Sequence, residues 1–386
     1  MWSRLKPDMV SCIWLPKMGF NVFFFMTHGV GIETWKEAGI LTRELLFLSK
    51  LSQHKFVNRI TIFSYSGNIS SQLKLVRSNG EWGCNVEIIQ IHRYNVIKNL
   101  FVFWKEANKS PRNTVNIFRS NQTKGAGFAL LAKIISRKSK FVYRSGYRES
   151  AFSWRQRKYI KFVYFIFIEL FLELVCDLRI STSLRDAWGF PFKKPYLRQV
   201  YNFVADDFFG QDCKDREGMV FVGRADPQKQ LPEICEMVSL NGQLKLDVYG
   251  VGDFSQLKER FKESRSIAFL GKVSNAELSC LIAKYKYGVL LSSHEGMPKT
   301  VLEMMAAGLV VCATRVGNLE DFCRHENNIV FFSKDPAKWP KELARVLGFS
   351  THKYESISNR ARETAQMFRI DALVNQEVLD WSRGVS

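Results

Sequence analysis

The chain has no Cys-x-x-Cys pair, no Asp-x-Asp at a strand end, no apolar run long enough to span a bilayer, and too few acids to balance its bases. Each absence excludes something. The eight cysteines, at positions 12, 84, 176, 213, 235, 280, 312 and 323, are scattered. That argues against a zinc site or a disulfide framework, and for reduced thiols in a cytosolic compartment. The apolar stretch 162–175 is 14 residues long and holds Glu169 and Glu173, short of the roughly 20 a span requires. Met9 to Thr27 is apolar but interrupted by Pro16, Lys17 and Gly19, with no small-residue cleavage site. It reads as the approach to a first buried strand, Asn21 to Met26, not as a signal peptide. Without an Asp-x-Asp, nothing in the sequence requires a divalent metal or a cofactor; Asp206-Asp207 reads as solvated loop.

The acid deficit is informative in itself. Lys and Arg number 56 against 37 Asp and Glu, a formal charge of +19. Residues 131–199 alone carry 15 bases and 5 acids, a net +10. Such clustering suits an anionic partner: nucleic acid, anionic lipid or an acidic substrate.

What is present is an alternation of strand-like and helix-like runs, the mark of α/β architecture with parallel sheets. The first half predicts strands at 21–26, 58–64, 85–90, 114–118, 140–144, 177–182 and 197–201, and helices at 33–52, 94–106, 125–137 and 155–175. The second half predicts strands at 219–223, 244–249, 266–270, 287–292, 309–313 and 328–332, and helices at 230–240, 253–263, 274–284, 299–307 and 336–347. With 386 residues, two domains are expected. The boundary falls near 201–205, giving units 1–201 and 202–359. The tail from about Tyr354 has a helical pattern through Ala361, Ala365, Phe368, Val374 and Val378.

Three motifs carry chemistry. Val220-Phe221-Val222-Gly223-Arg224-Ala225-Asp226-Pro227-Gln228-Lys229 is a strand, a glycine turn and a paired Arg and Lys. Asp247-Val248-Tyr249-Gly250-Val251-Gly252 is a strand closed by Gly-x-Gly. His294-Glu295-Gly296-Met297-Pro298-Lys299-Thr300-Val301-Leu302-Glu303 sets one glutamate on a loop leaving a strand and a second about a turn into the next helix. Two carboxylates over a helix N-terminus, at the carboxyl edge of a sheet, suit a ligand with hydroxyls on each side and a phosphate between.

In this order the motifs resemble the C-terminal half of family-4 retaining glycosyltransferases of GT-B fold, the glycosyl transferases of group 1. The resemblance is specific over 218–335. Tyr201-Asn202-Phe203-Val204-Ala205 resembles the family's Pro-Asn-x-Val-Asp connector, with Val200 and Ala205 in place of its proline and aspartate. The resemblance implies two Rossmann-like domains facing a cleft. The first binds acceptor and the second nucleotide sugar, and C-terminal helices from about 360–386 cross back to the first. It further implies transfer of a hexose-type sugar from a UDP- or GDP-sugar.

Residue chemistry and resemblance together assign roles. Arg224 and Lys229 are placed to neutralise a leaving diphosphate. Glu303 is suited to accept from vicinal ribose hydroxyls. Glu295 is placed for the donor sugar and for electrostatic support of an oxocarbenium-like transition state. By resemblance, backbone N–H groups of Gly296, Met297, Lys299 and Thr300 ring the sugar and phosphate; Pro298 has none to give. Gly223, Gly250 and Gly252 let a nucleotide approach the backbone, or simply make tight turns. Lys272 lines the same edge, and His294 is either a site residue or loop.

In the first unit, Gly29 and Gly31 follow the first strand beside His28, where they would let an acceptor or the donor phosphate approach backbone amides. Asn121, Gln122 and Lys124 open a helix, either to bind hydroxyls and anions or to cap it. Arg148 follows Arg144-Ser145-Gly146-Tyr147. The segments 31–44, 120–126 and 144–147 resemble bacterial surface-polysaccharide transferases. Many relatives place a His-Gly or His-Asp pair where this chain has Ser145-Gly146, so no protein base is assigned. That fits front-face retention, in which the departing phosphate takes the acceptor proton.

Trp154-Arg155-Gln156-Arg157-Lys158-Tyr159 with Lys161, ahead of Phe162 to Phe171, suits a helix on an anionic membrane, or an ordinary core helix. The expected protein is cytoplasmic and peripheral on the inner face of the membrane, with a glycan or lipid-linked glycan acceptor of polysaccharide synthesis (lipopolysaccharide, capsule or exopolysaccharide). Two other readings compete. An NAD(P)-dependent oxidoreductase with twin Rossmann units lacks Gly-x-Gly-x-x-Gly at its first strand. A basic nucleic-acid-binding protein lacks a recognition motif.

Overall fold

The computed structural model describes residues 19–38, 41–65, 67–136, 138–146, 148–182, 197–210, 213 and 215–382. Of the segments singled out above, most of Met9 to Thr27, and Gly39, Ile40 and Tyr147, lie outside these residues. The first unit runs β1 (Gly19–Phe25), α1 (Ile32–Glu37), α2 (Leu41–Ser52), β2 (Val57–Ser64), α3 (Ile69–Ser78), β3 (Asn85–Gln90), α4 (Val96–Asn108), β4 (Thr114–Ser120), α5 (Thr123–Ile134), β5 (Ser139–Ser145), α6 (Glu149–Arg155), α7 (Tyr159–Val175), β6 (Leu178–Ser181) and β7 (Leu197–Gln199). The second runs β8 (Glu217–Val222), α8 (Leu231–Asn241), β9 (Leu246–Tyr249), α9 (Ser255–Arg260), β10 (Ile267–Gly271), α10 (Asn275–Ile282), β11 (Tyr285–Leu290), α11 (Lys299–Ala306), β12 (Val310–Thr314), α12 (Leu319–Phe322), β13 (Val330–Phe332), α13 (Trp339–Leu347), α14 (Thr351–Gln366) and α15 (Ile370–Ser382).

Each unit holds one all-parallel sheet, ordered β3-β2-β1-β4-β5-β6-β7 in the first and β10-β9-β8-β11-β12-β13 in the second. Parallel strands are covered on both faces and so read as continuous apolar runs. In β1, Phe20 through Phe25 are all buried. One face of the first sheet packs against α1, α2, α3 and α15, through Trp35, Leu45, Leu48, Val76 and Trp381. The other packs against α4, α5 and α7, through Phe103, Ala126, Ala129 and Leu172. The second unit has its own core around Met304, Leu302, Val311 and Trp339.

Strand order reverses between β1 and β4, and again between β8 and β11. Crevices open at the carboxyl ends of strands at such switch points. The loops after β8 and β11 are those that carry Arg224, Lys229 and Glu295.

The structure corrects several sequence-based element assignments. The helix expected over 33–52 is two helices, α1 and α2; that expected over 155–175 starts later, as α7 at Tyr159, and a separate, unexpected helix, α6, precedes it over Glu149–Arg155. The break between α6 and α7 falls at Gln156–Lys158, where Arg157 adopts a left-handed φ of 58°. Arg155 to Lys158 is a polar run of good helix formers, so propensity does not mark the break. Helices α3 and α12 were not expected; α3 is polar apart from a few positions, with Asn68 capping it through Ser70 and Ser71 N–H. Asp206 is not solvated loop: it starts a 3-10 turn and pairs with Arg369 Nε and Nη2 at 2.9 Å.

That pairing fastens the linker to the returning chain. Val204 N–H donates to Phe368 O at 2.8 Å beside it. α14 stays with the second core through Ile357, Ala361 and Ala365. The return to the first sheet begins at Ile370, not at about 360, and buries Ile370, Leu373, Val374, Val378 and Trp381. At roughly 1.5–3 kcal/mol per large apolar side chain buried, this is a strong attachment. Among the described residues no helix is long and apolar enough to cross a membrane.

Candidate active site

The second sheet builds one wall of the cleft. Gly223 N–H donates to Tyr249 O at 3.0 Å, Ala225 N–H to Val251 O at 2.9 Å and Gly250 N–H to Gly271 O at 2.8 Å. The loops after β8 and β9 thus continue the ladder past the ends of their strands. The approach is close: a Cβ on Gly250 would lie 1.6 Å from Gly223 O. No residue other than glycine fits there. Gly250, Gly252 and Lys272 line a hollow of about 370 Å³ together with Ser255 and Gly271.

Lys229 ends a short 3-10 turn, Pro227–Lys229, whose start is fixed by Asp226 accepting from Gln228 N–H at 3.2 Å. The next loop, after β11, is tied to it: Ser293 N–H donates to Gln228 O at 2.8 Å. Lys229 Nζ then meets Glu295 Oε1 at 2.6 Å, with only 11% and 12% of the two side chains exposed. Such a charge-assisted contact in a drier setting is much stronger than one at the surface. Arg224 stands beside it, 67% exposed, with Asp226 at 3.6 Å.

The loop of Glu295 is braced from two further sides. Asn318 N–H donates to Gly296 O at 3.2 Å, and a Cβ on Gly317 would lie 1.9 Å from that same oxygen. Asn202 of the linker donates its amide to Met297 O at 3.1 Å, and its backbone N–H points at Met297 Sδ at 3.0 Å. Asn318 also donates to Thr182 O of the first unit at 2.9 Å. Glu303 and Thr300 lie on α11, partly buried.

The first unit supplies the opposite wall. A cavity of about 400 Å³ between the units is lined by Gly146, Arg148 and Ala151 on one side and by Arg224, Gln228, His294, Glu295 and Gly296 on the other. Arg148 is oriented by Glu169 at 3.5 Å. A neighbouring cavity of about 460 Å³ shares Gly146 and Asn202 and adds Asn121, Gln122, Lys299, Trp35, Arg119 and Glu377. Gln122 does not cap α5 with its side chain; its Oε1 accepts from Gly146 N–H at 3.2 Å. Lys124 pairs with Glu149 at 3.1 Å. Tyr201, in the linker, lines the larger cavity. Burial pushes its phenol up to about 12, with Asp321 adding to the effect, so it stays a hydrogen-bond donor at neutral pH.

So the structure brings Glu295, Arg224, His294, Gly296, Met297 and Arg148 together at one cavity, with Lys229 paired to Glu295, and Asn121, Gln122 and Lys299 at its neighbour. His28, Gly29 and Gly31 line neither. His28 lies edge-on to Tyr65, and its Nε2 is 3.2 Å from Arg93 O. Gly31 caps α1, and Gly29 has a φ of 78°. The sequence alone does not reveal Asn202, Gln228, Asn318 or Glu377. Only the connector resemblance at Asn202 offered a signal; the others act through contacts over 65 residues or more. Among the described residues no three His, Cys, Asp or Glu side chains stand together as a metal site.

Known proteins share part of this sequence and the whole of this fold. Residues 216–348 match the family model of glycosyl transferases group 1. A glycosyltransferase of Methanocaldococcus jannaschii, itself uncharacterised, is 27% identical over 176 residues. That match spans 42% of this chain and 44% of the relative's length. Among solved structures, sucrose-phosphate synthase of Thermosynechococcus elongatus superposes with a TM-score of 0.69 at 16% identity, over 94% of this chain and 98% of that one. Anabaena HepE in complex with UDP and glucose does so at 0.70 and 16%, over 94% and 99%. The lipopolysaccharide outer core galactosyltransferase WaaB gives 0.64 at 14%, over 94% and 99%. The fold is therefore GT-B, with both sheets and the returning C-terminal helices.

Proposed function

We propose that this protein is a retaining glycosyltransferase that moves a hexose-type sugar from a nucleoside-diphosphate sugar to a lipid-linked glycan in bacterial surface-polysaccharide synthesis. The observation that carries the reading is the enclosed Lys229–Glu295 pair beside Arg224, at the switch point of the second sheet. Support comes from the family match, which covers the half holding those residues. Further support comes from neighbours of the same fold solved with UDP and with UDP-glucose.

In this reading Arg224 and Lys229 hold the diphosphate and stabilise the charge that develops as it leaves. Glu303 takes the ribose hydroxyls. Glu295 accepts from the donor sugar and keeps Lys229 in place. The bond from the anomeric carbon to the phosphate oxygen breaks, and a bond to the acceptor oxygen forms on the same face of the ring. The acceptor proton passes to the departing phosphate oxygen, so no protein base is required. The chain's part is to position the reactants and exclude water. No metal is assigned to this reaction, and EDTA is expected to leave the rate unchanged.

The test is a thermal-shift screen with nucleoside diphosphates and nucleotide sugars, since a ligand that binds the native state stabilises it by mass action. A rise with one nucleoside diphosphate that is lost in Arg224→Ala is expected. No rise with any of them overturns the reading.

A further inference from the structure

The face of the first unit formed by α4, α5 and α7 exposes apolar side chains in register. On α4 and its approach, Tyr94, Ile97, Phe101 and Trp104 are exposed, Ile97 by 82%. Ile97, Phe101 and Trp104, spaced by four and three, share one stripe of the helix, and Tyr94 stands just ahead of its start. On α7, Ile160, Tyr164, Phe167 and Phe171 recur at four, three and four, with Ile160 at 89% and Phe167 at 66% exposed. α5 packs between these helices on the same side of the sheet, and its Ile134 is also exposed. A monomer seldom leaves so much aromatic surface in water without a use for it.

The charges around this surface are sorted by sign. The carboxylates of this layer are engaged by cations: Glu106 by Lys109, Glu149 by Lys124, Glu169 by Arg148, Glu173 by Arg179 and Asp177 by Lys133. Glu106, Glu149 and Glu169 are buried as well. Lys98, Lys105, Arg157, Lys158 and Lys161 are exposed. An apolar stripe rich in Trp and Tyr with a cationic margin fits the boundary of a bilayer whose headgroups are anionic.

We infer that α4 and α7 together form a docking surface for an anionic phospholipid bilayer. Charge excludes a second copy of the chain as the better occupant. A two-fold contact would set this patch against itself, and the lysine margin would face its own image. The surface also has a direction. α6 lines the cleft at Ala151 and Phe152 and leads to α7 through Trp154, whose ring packs on Tyr159 and Phe162. The docked layer therefore reaches the acceptor wall of the cleft. Docking itself does not rest on the glycosyl-transfer reading; delivery of a lipid-linked acceptor does.

Flotation of the full chain with vesicles tests docking without any assay of transfer. Binding to phosphatidylcholine vesicles containing phosphatidylglycerol is expected, weakened by salt and weak with phosphatidylcholine alone. Phe101→Ser combined with Phe167→Ser, and separately Lys158→Glu combined with Lys161→Glu, should each lower binding at least about tenfold. All four side chains are exposed, so the melting temperature should hold. Leu240→Ser, at an exposed position of the second unit, should bind normally. No flotation with the anionic vesicles, or equal flotation with neutral ones, overturns the inference. So does self-association that the same substitutions abolish in a chain that ignores vesicles.

Discussion

Lys229 and Glu295 meet at 2.6 Å across loops that leave adjacent strands, β8 and β11, at the point where the second sheet reverses its order. Each is nearly enclosed, so each is the other's main counter-charge. Removing one side of such a pair leaves a buried charge, a cost of about 3–5 kcal/mol. Glu295→Ala should therefore lower stability as well as transfer, whereas Glu295→Gln keeps a hydrogen bond to Lys229. Comparing the two by thermal melting and by kcat separates the effects. In the proposed mechanism, Glu295→Gln should lose less stability than Glu295→Ala, since its amide oxygen still accepts from Lys229, and yet lose on the order of 10²-fold in kcat.

Gly250 sits where a Cβ would strike Gly223 O at 1.6 Å. Gly250→Ala must push the loops after β8 and β9 apart. Nucleoside-diphosphate binding by calorimetry should weaken at least about tenfold, the scale of a 1–2 kcal/mol backbone distortion. Gly127→Ala is the control: nothing lies within 4 Å of its added Cβ, and in a helix it should stabilise by up to about 1 kcal/mol. Equal effects at the two positions would refute the close-approach argument.

Arg119 donates to Glu377 through Nε at 2.5 Å and Nη2 at 3.3 Å, and both side chains are buried. The pair joins β4 to the returning helix α15 next to the larger cavity. Glu377→Ala should cost about 3–5 kcal/mol and expose the C-terminal segment to protease. The double substitution Arg119→Met with Glu377→Leu should recover much of that loss. Urea unfolding of all three variants gives the coupling; strict additivity would mean the pair does not act as a unit.

Glu173 has its carboxyl pKa raised by burial, with Arg179 opposing the shift from 3.1 Å. Its folded pKa lies above its unfolded one, so between them the folded state holds more protons. Stability contributed by this group is then present below the unfolded pKa and is lost as pH rises through the folded pKa. Urea midpoints measured upward from about pH 4 should show that component falling, and Glu173→Gln should remove it. An unchanged profile in that variant would contradict the assignment.

Much of the fold was legible because parallel strands buried on both faces print as apolar runs. β1 reads as Asn21 to Met26 in sequence and spans Gly19–Phe25 in structure. The strand-end position of the candidate site residues in the second unit was legible for a related reason. Gly223, Gly250, Lys229 and Glu295 all sit within a few residues of strand ends, where local spacing fixes geometry. The breaks between α1 and α2 and between α6 and α7 were not legible. Around the turn at Arg157 the residues Arg155 to Lys158 are good helix formers, so propensity does not show the stop.

By itself the sequence determined two doubly wound units, the strand-end position of Arg224, Lys229 and Glu295, and a strongly positive charge. These follow from short-range spacing and composition. Only the tertiary structure decided that Lys229 is partnered by Glu295, that Asn202 and Asn318 brace the loop between the units, and that Glu377 returns to Arg119. It alone also decided that the acids of the α4–α7 layer are engaged by cations while lysines stand exposed beside exposed aromatics. The reason is physical: which side chains share a buried space depends on how the sheets and helices are laid together, and sequence separation does not encode that.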